Sequence, residues 1–165
     1  MINFRLLRIE DEPFLWEMLY LALYVPAGYP PFPLTILQQP EISRYVVGWG
    51  RVGDLGLMAM AESRPVGAAW LRLLVGDQRG FGYVDEQTPE LSVALLPAYR
   101  GQGIGRQLLT QLLAVAAPHY SAISLSVSRA NPAGQLYRRL GFVTVAESDD
   151  SQTMCCQLKS QPSFA

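Results

Sequence analysis

Cysteine and histidine are nearly missing from this chain of 165 residues: Cys155 and Cys156 are adjacent, and His119 stands alone. Neighbouring cysteines on an extended backbone point to opposite faces, so free thiols packed in a strand are expected. Two cysteines and one histidine cannot build a structural zinc site, and no metal is expected. Long apolar runs are missing too. The longest clean one, Leu19–Val25, stops at Pro26, far short of the ~18 residues of a membrane helix. The opening Met1-Ile-Asn-Phe-Arg-Leu-Leu-Arg8 lacks the basic, apolar, small-residue order of a signal peptide. The expectation is a soluble, cytoplasmic protein with no membrane partner.

Charge is scarce as well. Charged residues make up 16% of the chain and the formal net charge is −1, against about 25% charged residues in typical domains. That excludes a global basic character for nucleic acid. A surface so poor in charge points to an apolar contact with a ligand or with a second copy, a homodimer. Acids are unevenly spread. From Leu91 to Ala146 there is no Asp or Glu, while Arg100, Arg106, Arg129, Arg138 and Arg139 all lie there. A stretch without carboxylates suits an anionic ligand, and the acidic remainder suits a cationic one. Burial alone would also thin out charge.

Length and a 50% hydrophobic content are enough for one self-sufficient domain over 1–165. Alternation predicts strands over Asn3–Ile9, Leu57–Ala61, Val66–Leu74, Leu91–Leu95, Ile123–Ser128, Phe142–Ala146 and Thr153–Leu158. The first hairpin should turn around Glu62-Ser-Arg-Pro65. Helical spacing predicts a helix opened by Asp11-Glu-Pro13, a second within Leu34–Trp49, and a third from Ile104 to Ala116 closed by Pro118. A short fourth is capped by Asn131 and ends at Gly141. Two loops remain, Tyr24–Pro33 and Gly76–Thr88. The order describes an α/β fold, a mixed sheet with helices packed on it.

One segment carries chemistry: Arg100-Gly-Gln-Gly-Ile-Gly-Arg106, between a strand and a helix. Glycines at alternate positions leave backbone amides uncovered at the positive end of the helix, a site for phosphate or pyrophosphate. Arg100 and Arg106 can add charge-assisted hydrogen bonds. A P-loop needs Lys and Ser/Thr after its last glycine, and Arg106-Gln107 stands there. A dinucleotide fold needs its glycines at the first strand and an acid ~20 residues on, and none appears before Glu147.

The segment resembles the GNAT superfamily of N-acetyltransferases, whose signature Q/R-x-x-G-x-G/A is matched by Arg100-Gly-Gln-Gly103-Ile-Gly105. Pro89-Glu-Leu-Ser-Val-Ala-Leu-Leu-Pro-Ala-Tyr99 upstream, Leu125-Ser-Val-Ser-Arg-Ala-Asn-Pro132 downstream and Leu136-Tyr-Arg-Arg-Leu-Gly-Phe142 extend the likeness from Glu90 to Phe142. It implies a mostly antiparallel sheet, splayed between its two motif strands, with helices on both faces. It also implies acetyl-CoA as donor, held by a core of about residues 90–142. The pyrophosphate would lie on Arg100, Gly101, Gln102, Gly103, Ile104, Gly105 and Arg106. Val93, Ala94 and Leu95 would offer backbone to pantetheine, Asn131 would touch the cofactor, and Tyr137 would protonate the leaving thiolate. Asn131 also fits a plain helix cap, and Tyr137 a core aromatic.

The implied reaction is direct attack of a primary amine on the thioester, without an acyl-enzyme. Glu90, the last acid before the motif, fits a general base and equally a solvated residue at a strand start. Some relatives carry a catalytic glutamate where Ser126 stands here, which argues against ribosomal-protein termini as acceptors. A small cationic amine is expected. The fold's acceptor side would be made from the aromatic, proline-rich Tyr24–Pro33, Trp49, Asp77, Asp85 and Glu86, which attract ammonium by cation–π and Coulomb terms. The alternatives are an acyl-CoA sensor without turnover, a protein or peptide N-acetyltransferase, and another nucleotide-binding enzyme.

Overall fold

Seven strands form one sheet in the computed structural model, which describes residues 1–158. They are β1 (Ile2–Leu6), β2 (Leu55–Ala61), β3 (Arg64–Arg72), β4 (Glu90–Leu95), β5 (Ala122–Ser128), β6 (Val143–Glu147) and β7 (Ser151–Gln157). Their order across the sheet is β1-β2-β3-β4-β5-β7-β6. Neighbours are antiparallel except β4 and β5, which run parallel. The α-helices are α1 (Glu12–Ala22), α2 (Pro40–Ser43), α3 (Ile104–Ala116) and α4 (Ala133–Arg139).

Alternating strands and a helical stripe give each face its own core. Leu91, Ile123, Leu125 and Val127 turn toward Ile104, Leu108, Leu109 and Leu112 of α3 and Tyr137 of α4. On the opposite face Met58, Ala68, Trp70 and Ala94 meet Leu15, Met18 and Leu19 of α1, with Ile42 and Tyr45. Helices therefore cover both faces, as the resemblance implied.

The parallel pair is the seam of the sheet. β4 is registered on β3 along its whole length, and β5 on β7 along its whole length. Only Glu90 and Ser124 pair across the seam, and the Ser124 N–H donates to the Pro89 carbonyl at 3.0 Å. Beyond that point each strand follows its antiparallel partner, and the two splay apart. Ser126, in the middle of β5, is exposed as a result.

A buried ion pair ties the segment between α2 and β2 to the sheet. Arg72, fully buried on β3, donates to Asp54 through Nε at 3.1 Å and Nη2 at 2.8 Å. Its Nη1 reaches the carbonyls of Arg44 at 3.1 Å and Val47 at 2.6 Å. Its guanidinium lies over the Trp49 ring, 5.6 Å from the centroid. Arg72→Met would leave Asp54 with only the Gly50 and Arg51 amides and no counter-charge, and would strand both carbonyls, at a cost of about 3–5 kcal/mol. The expected result is a Tm lowered by ~10 °C or more in calorimetry; a Tm within ~2 °C of the parent's would show that the pair does not anchor this segment.

Three expectations change. β1 ends at Leu6, not Ile9, because the Asp11 carboxylate accepts the Arg8 N–H at 2.7 Å and winds Ile9–Asp11 into a 3-10 turn. The helix expected within Leu34–Trp49 is a 3-10 turn, Leu34–Gln38, followed by the four-residue α2. Pro40 has no N–H to continue the first turn, and Gly48 and Gly50 take positive φ. The hairpin closes more tightly, at Glu62-Ser63, with Glu62 at φ 55. Both cysteines are buried and unbridged.

Candidate active site at the split between β4 and β5

The split opens a cleft of about 160 Å³ that passes through the sheet. From one face it is lined by Leu19, Leu23, Ile42, Tyr45, Phe81 and Glu90; from the other by Leu91, Val93, Leu125, Val127, Asn131 and Tyr137. The structure thus brings Glu90, Val93, Asn131 and Tyr137 together. Ala94 lies outside the lining, buried in the α1-side core. The Leu95 carbonyl accepts from Arg100 Nε at 3.2 Å.

The glycine loop follows β4. Gly101 and Gly103 take left-handed φ of 74° and 83°, which glycine adopts without a Cβ penalty. Gly103 caps the start of α3, and the first hydrogen bond of the helix runs from the Gln107 N–H to its carbonyl at 3.2 Å. Among the described residues, the amides of Gly101, Gln102, Gly103, Ile104, Gly105 and Arg106 have no backbone acceptor. They sit at the positive end of a long helix with Arg100 and Arg106 exposed beside them, which fits a doubly charged pyrophosphate.

Glu90 is not a solvated strand-start residue: it is 2% exposed. Its Oε1 accepts from Tyr45 Oη at 2.9 Å and the Gly82 N–H at 2.8 Å, and its Oε2 from the Gly80 N–H at 2.9 Å. A carboxylate offers about four acceptor positions, so one remains, on Oε2. Burial pushes its pKa up against these hydrogen bonds, which pull it down.

Sequence reading missed the parts that hold Glu90. Tyr45 Oη also accepts the Phe81 N–H at 2.8 Å, and the two rings stack with centroids 6.5 Å apart. Trp70 Nε1 fixes the Tyr45 backbone through its carbonyl at 3.0 Å. Gly80 and Gly82 were legible only as loop glycines. A Cβ on Gly82 would come within 2.7 Å of the Leu125 backbone, so the loop lies directly against β5.

Tyr137, on α4 at the opposite face, is 8% exposed. Burial pushes its pKa up to about 12, so the phenol stays protonated at neutral pH. Its ring packs at a tilt on Phe142, 5.9 Å between centroids. Asn131 does cap α4: its Oδ1 accepts the Ala133 N–H at 2.9 Å. The cap and the cleft use the same residue.

The expected acceptor surface is arranged differently. Trp49 is buried in the core beneath Arg72. Asp85 accepts from Gln87 N and Thr88 Oγ1, both at 2.8 Å, and so closes its own turn. Glu86 pairs with Arg79 and Tyr83. Neither they nor Asp77 line the cleft. No residue of Tyr24–Pro33 lines it; Tyr24 Oη instead ties the end of α1 to the Ala130 carbonyl at 3.1 Å. His119 is exposed. Among the described residues no helix is long and apolar enough to cross a membrane.

Residues 54–144 match the family model of the acetyltransferase (GNAT) domain. No curated protein matches the chain. Among solved structures, yncA of Salmonella typhimurium with its cofactor acetyl-CoA superposes with a TM-score of 0.68 at 21% identity, covering 100% of this chain and 98% of that one. The ribosomal-protein-S18-alanine N-acetyltransferase of Escherichia coli gives 0.67 at 19%, covering 100% and 99%. The PaiA N-acetyltransferase of Thermoplasma acidophilum, in complex with coenzyme A, gives 0.67 at 22%, covering 95% and 99%. At these identities the likeness is one of fold.

Proposed function

The chain belongs to the GNAT acetyltransferase family, and on that premise we propose that it moves an acetyl group from acetyl-CoA to the primary amine of a small molecule that arrives as an ammonium cation. The observation that carries this is the cleft through the sheet, with a carboxylate on one face and a protonated phenol on the other, beside a loop of free amides. The relatives solved with acetyl-CoA or coenzyme A support the donor. The donor supplies a thioester carbonyl and a thiolate leaving group.

The residues divide the work. The amides of Gly101–Arg106, with Arg100 and Arg106, hold the pyrophosphate. The unpaired edge of β4 at Val93, with Asn131, guides the pantetheine arm into the split. Glu90 receives the acceptor's ammonium proton through its one open position, directly or through water. Tyr137 donates its proton to the departing sulfur. Two protons leave the nitrogen, one by way of Glu90, and both pass to solvent; the C–N bond forms as the C–S bond breaks; the thiol takes the Tyr137 proton and solvent restores it, so one proton is released overall. The cytoplasm holds the donor, and the proposed reaction is a cytoplasmic one.

The test is thiol release from acetyl-CoA with and without a primary amine. Amine-dependent release with matching N-acetyl product is expected. Tight CoA binding with no amine-dependent release would favour an acyl-CoA sensor, and transfer to peptides alone a protein N-acetyltransferase.

Glu90 sets a pH dependence whose sign is fixed. Because burial raises its pKa, the acid limb of kcat/KM should lie above the ordinary glutamate value, and Glu90→Gln should remove it. Tyr45→Phe deletes a donor that lowers that pKa, so it should move the limb to higher pH. Superimposable profiles for the parent and both variants would take the base role away from Glu90.

A further inference from the structure

The acceptor half of the cleft also says which amine it takes, an inference that rests on the N-acetyl transfer proposed above. Its charge inventory is short. Glu90 is the one carboxylate in the lining, and the lining holds no Lys, Arg or His. With three donors already on it, Glu90 has room for one ammonium. The neighbouring wall, Leu19, Leu23 and Ile42, is aliphatic. A second ammonium would meet no counter-charge there, and an acceptor carboxylate would meet no cation.

An aromatic wall completes it. Phe81 is 60% exposed, and its backbone is held on both sides. One ring face stacks on Tyr45 with an interplanar angle of 10°. Its own N–H is bound by Tyr45, and the amides on both sides of it are bound by Glu90. A solvent-facing ring on a hydrogen-bonded backbone thus stands one residue from each of the amides that hold the carboxylate. A pre-positioned aromatic surface loses little freedom when a flat ligand stacks on it.

We propose that the acceptor is a primary monoamine with an aromatic group a short spacer from the nitrogen and no second charged group. The ammonium sits at Glu90 and the ring against Phe81 and the aliphatic wall.

The experiment compares kcat/KM for 2-phenylethylamine, hexylamine, 1,4-diaminobutane and phenylalanine at saturating acetyl-CoA. The expected order puts 2-phenylethylamine first, about 100-fold above both the diamine and the amino acid. Phe81→Ala should narrow its lead over hexylamine, and Leu23→Asp, which adds a second carboxylate, should raise the diamine relative to it. A diamine or amino acid used as well as 2-phenylethylamine by the parent would overturn the acceptor class while leaving N-acetyl transfer in place. So would a lead over hexylamine that survives Phe81→Ala. Thiol release unaffected by every amine would overturn both.

Discussion

Gly103→Glu is expected to abolish binding of CoA and acetyl-CoA. Two effects coincide there. Gly103 holds a φ of 83°, where any side chain adds about 1–2 kcal/mol of strain. A Cβ on Gly103 would meet nothing within 4 Å, so the fold absorbs that strain without a clash. The larger effect is electrostatic. A carboxylate would stand among the free amides of Gly101–Arg106, in the space that a pyrophosphate needs, and repel it. Calorimetric titration should show Kd raised at least ~100-fold, with Tm only slightly lower. Gly103→Ala carries the strain without the charge and should lose much less. A glutamate variant that binds CoA as the parent does would remove the loop from the donor site.

Tyr137→Phe is expected to lower kcat by ~10²-fold or more with little change in acetyl-CoA binding, because a proton donor to the leaving group acts mainly in the transition state. The substitution keeps the ring that packs on Phe142 and removes only the hydroxyl, so stability should hold. Burial that keeps the phenol protonated also raises the proton affinity of a thiolate expelled beside it. Single-turnover rates at saturating substrates would isolate the chemical step. An unchanged rate would return Tyr137 to the core as an aromatic alone.

Sequence legibility followed periodicity. Leu91–Leu95, Ile104–Ala116 and Ile123–Ser128 each repeat apolar residues at a clean period, and the structure reproduces them within a residue. The glycines of the loop stood out because three alternate in five residues. The Glu90 side of the cleft was far less legible. Tyr45 lies in a turn between α2 and β2, where no period marks it, and its role depends on Glu90, 45 residues away. Gly80 and Gly82 carry no signal beyond flexibility, since what makes them necessary is the approach of Glu90 and of the β5 backbone. Trp49 misled for the same reason. Composition shows an aromatic but not which side of the chain it faces, and Trp49 packs inward, in the α1-side core and under Arg72. The acids of the second loop were visible as charge, but hydrogen bonds within that loop occupy Asp85 and Glu86.

A crystal structure of the chain with CoA would test the assignment of the cleft most directly. The expected density places the pyrophosphate on the amides of Gly101–Arg106 and runs the pantetheine arm along Val93 into the split between β4 and β5. The sulfur should lie within about 3.5 Å of Tyr137 Oη, leaving the Glu90 side of the cleft open for the amine. A CoA bound with its sulfur outside the split, or on the far side of the sheet from Tyr137, would contradict it.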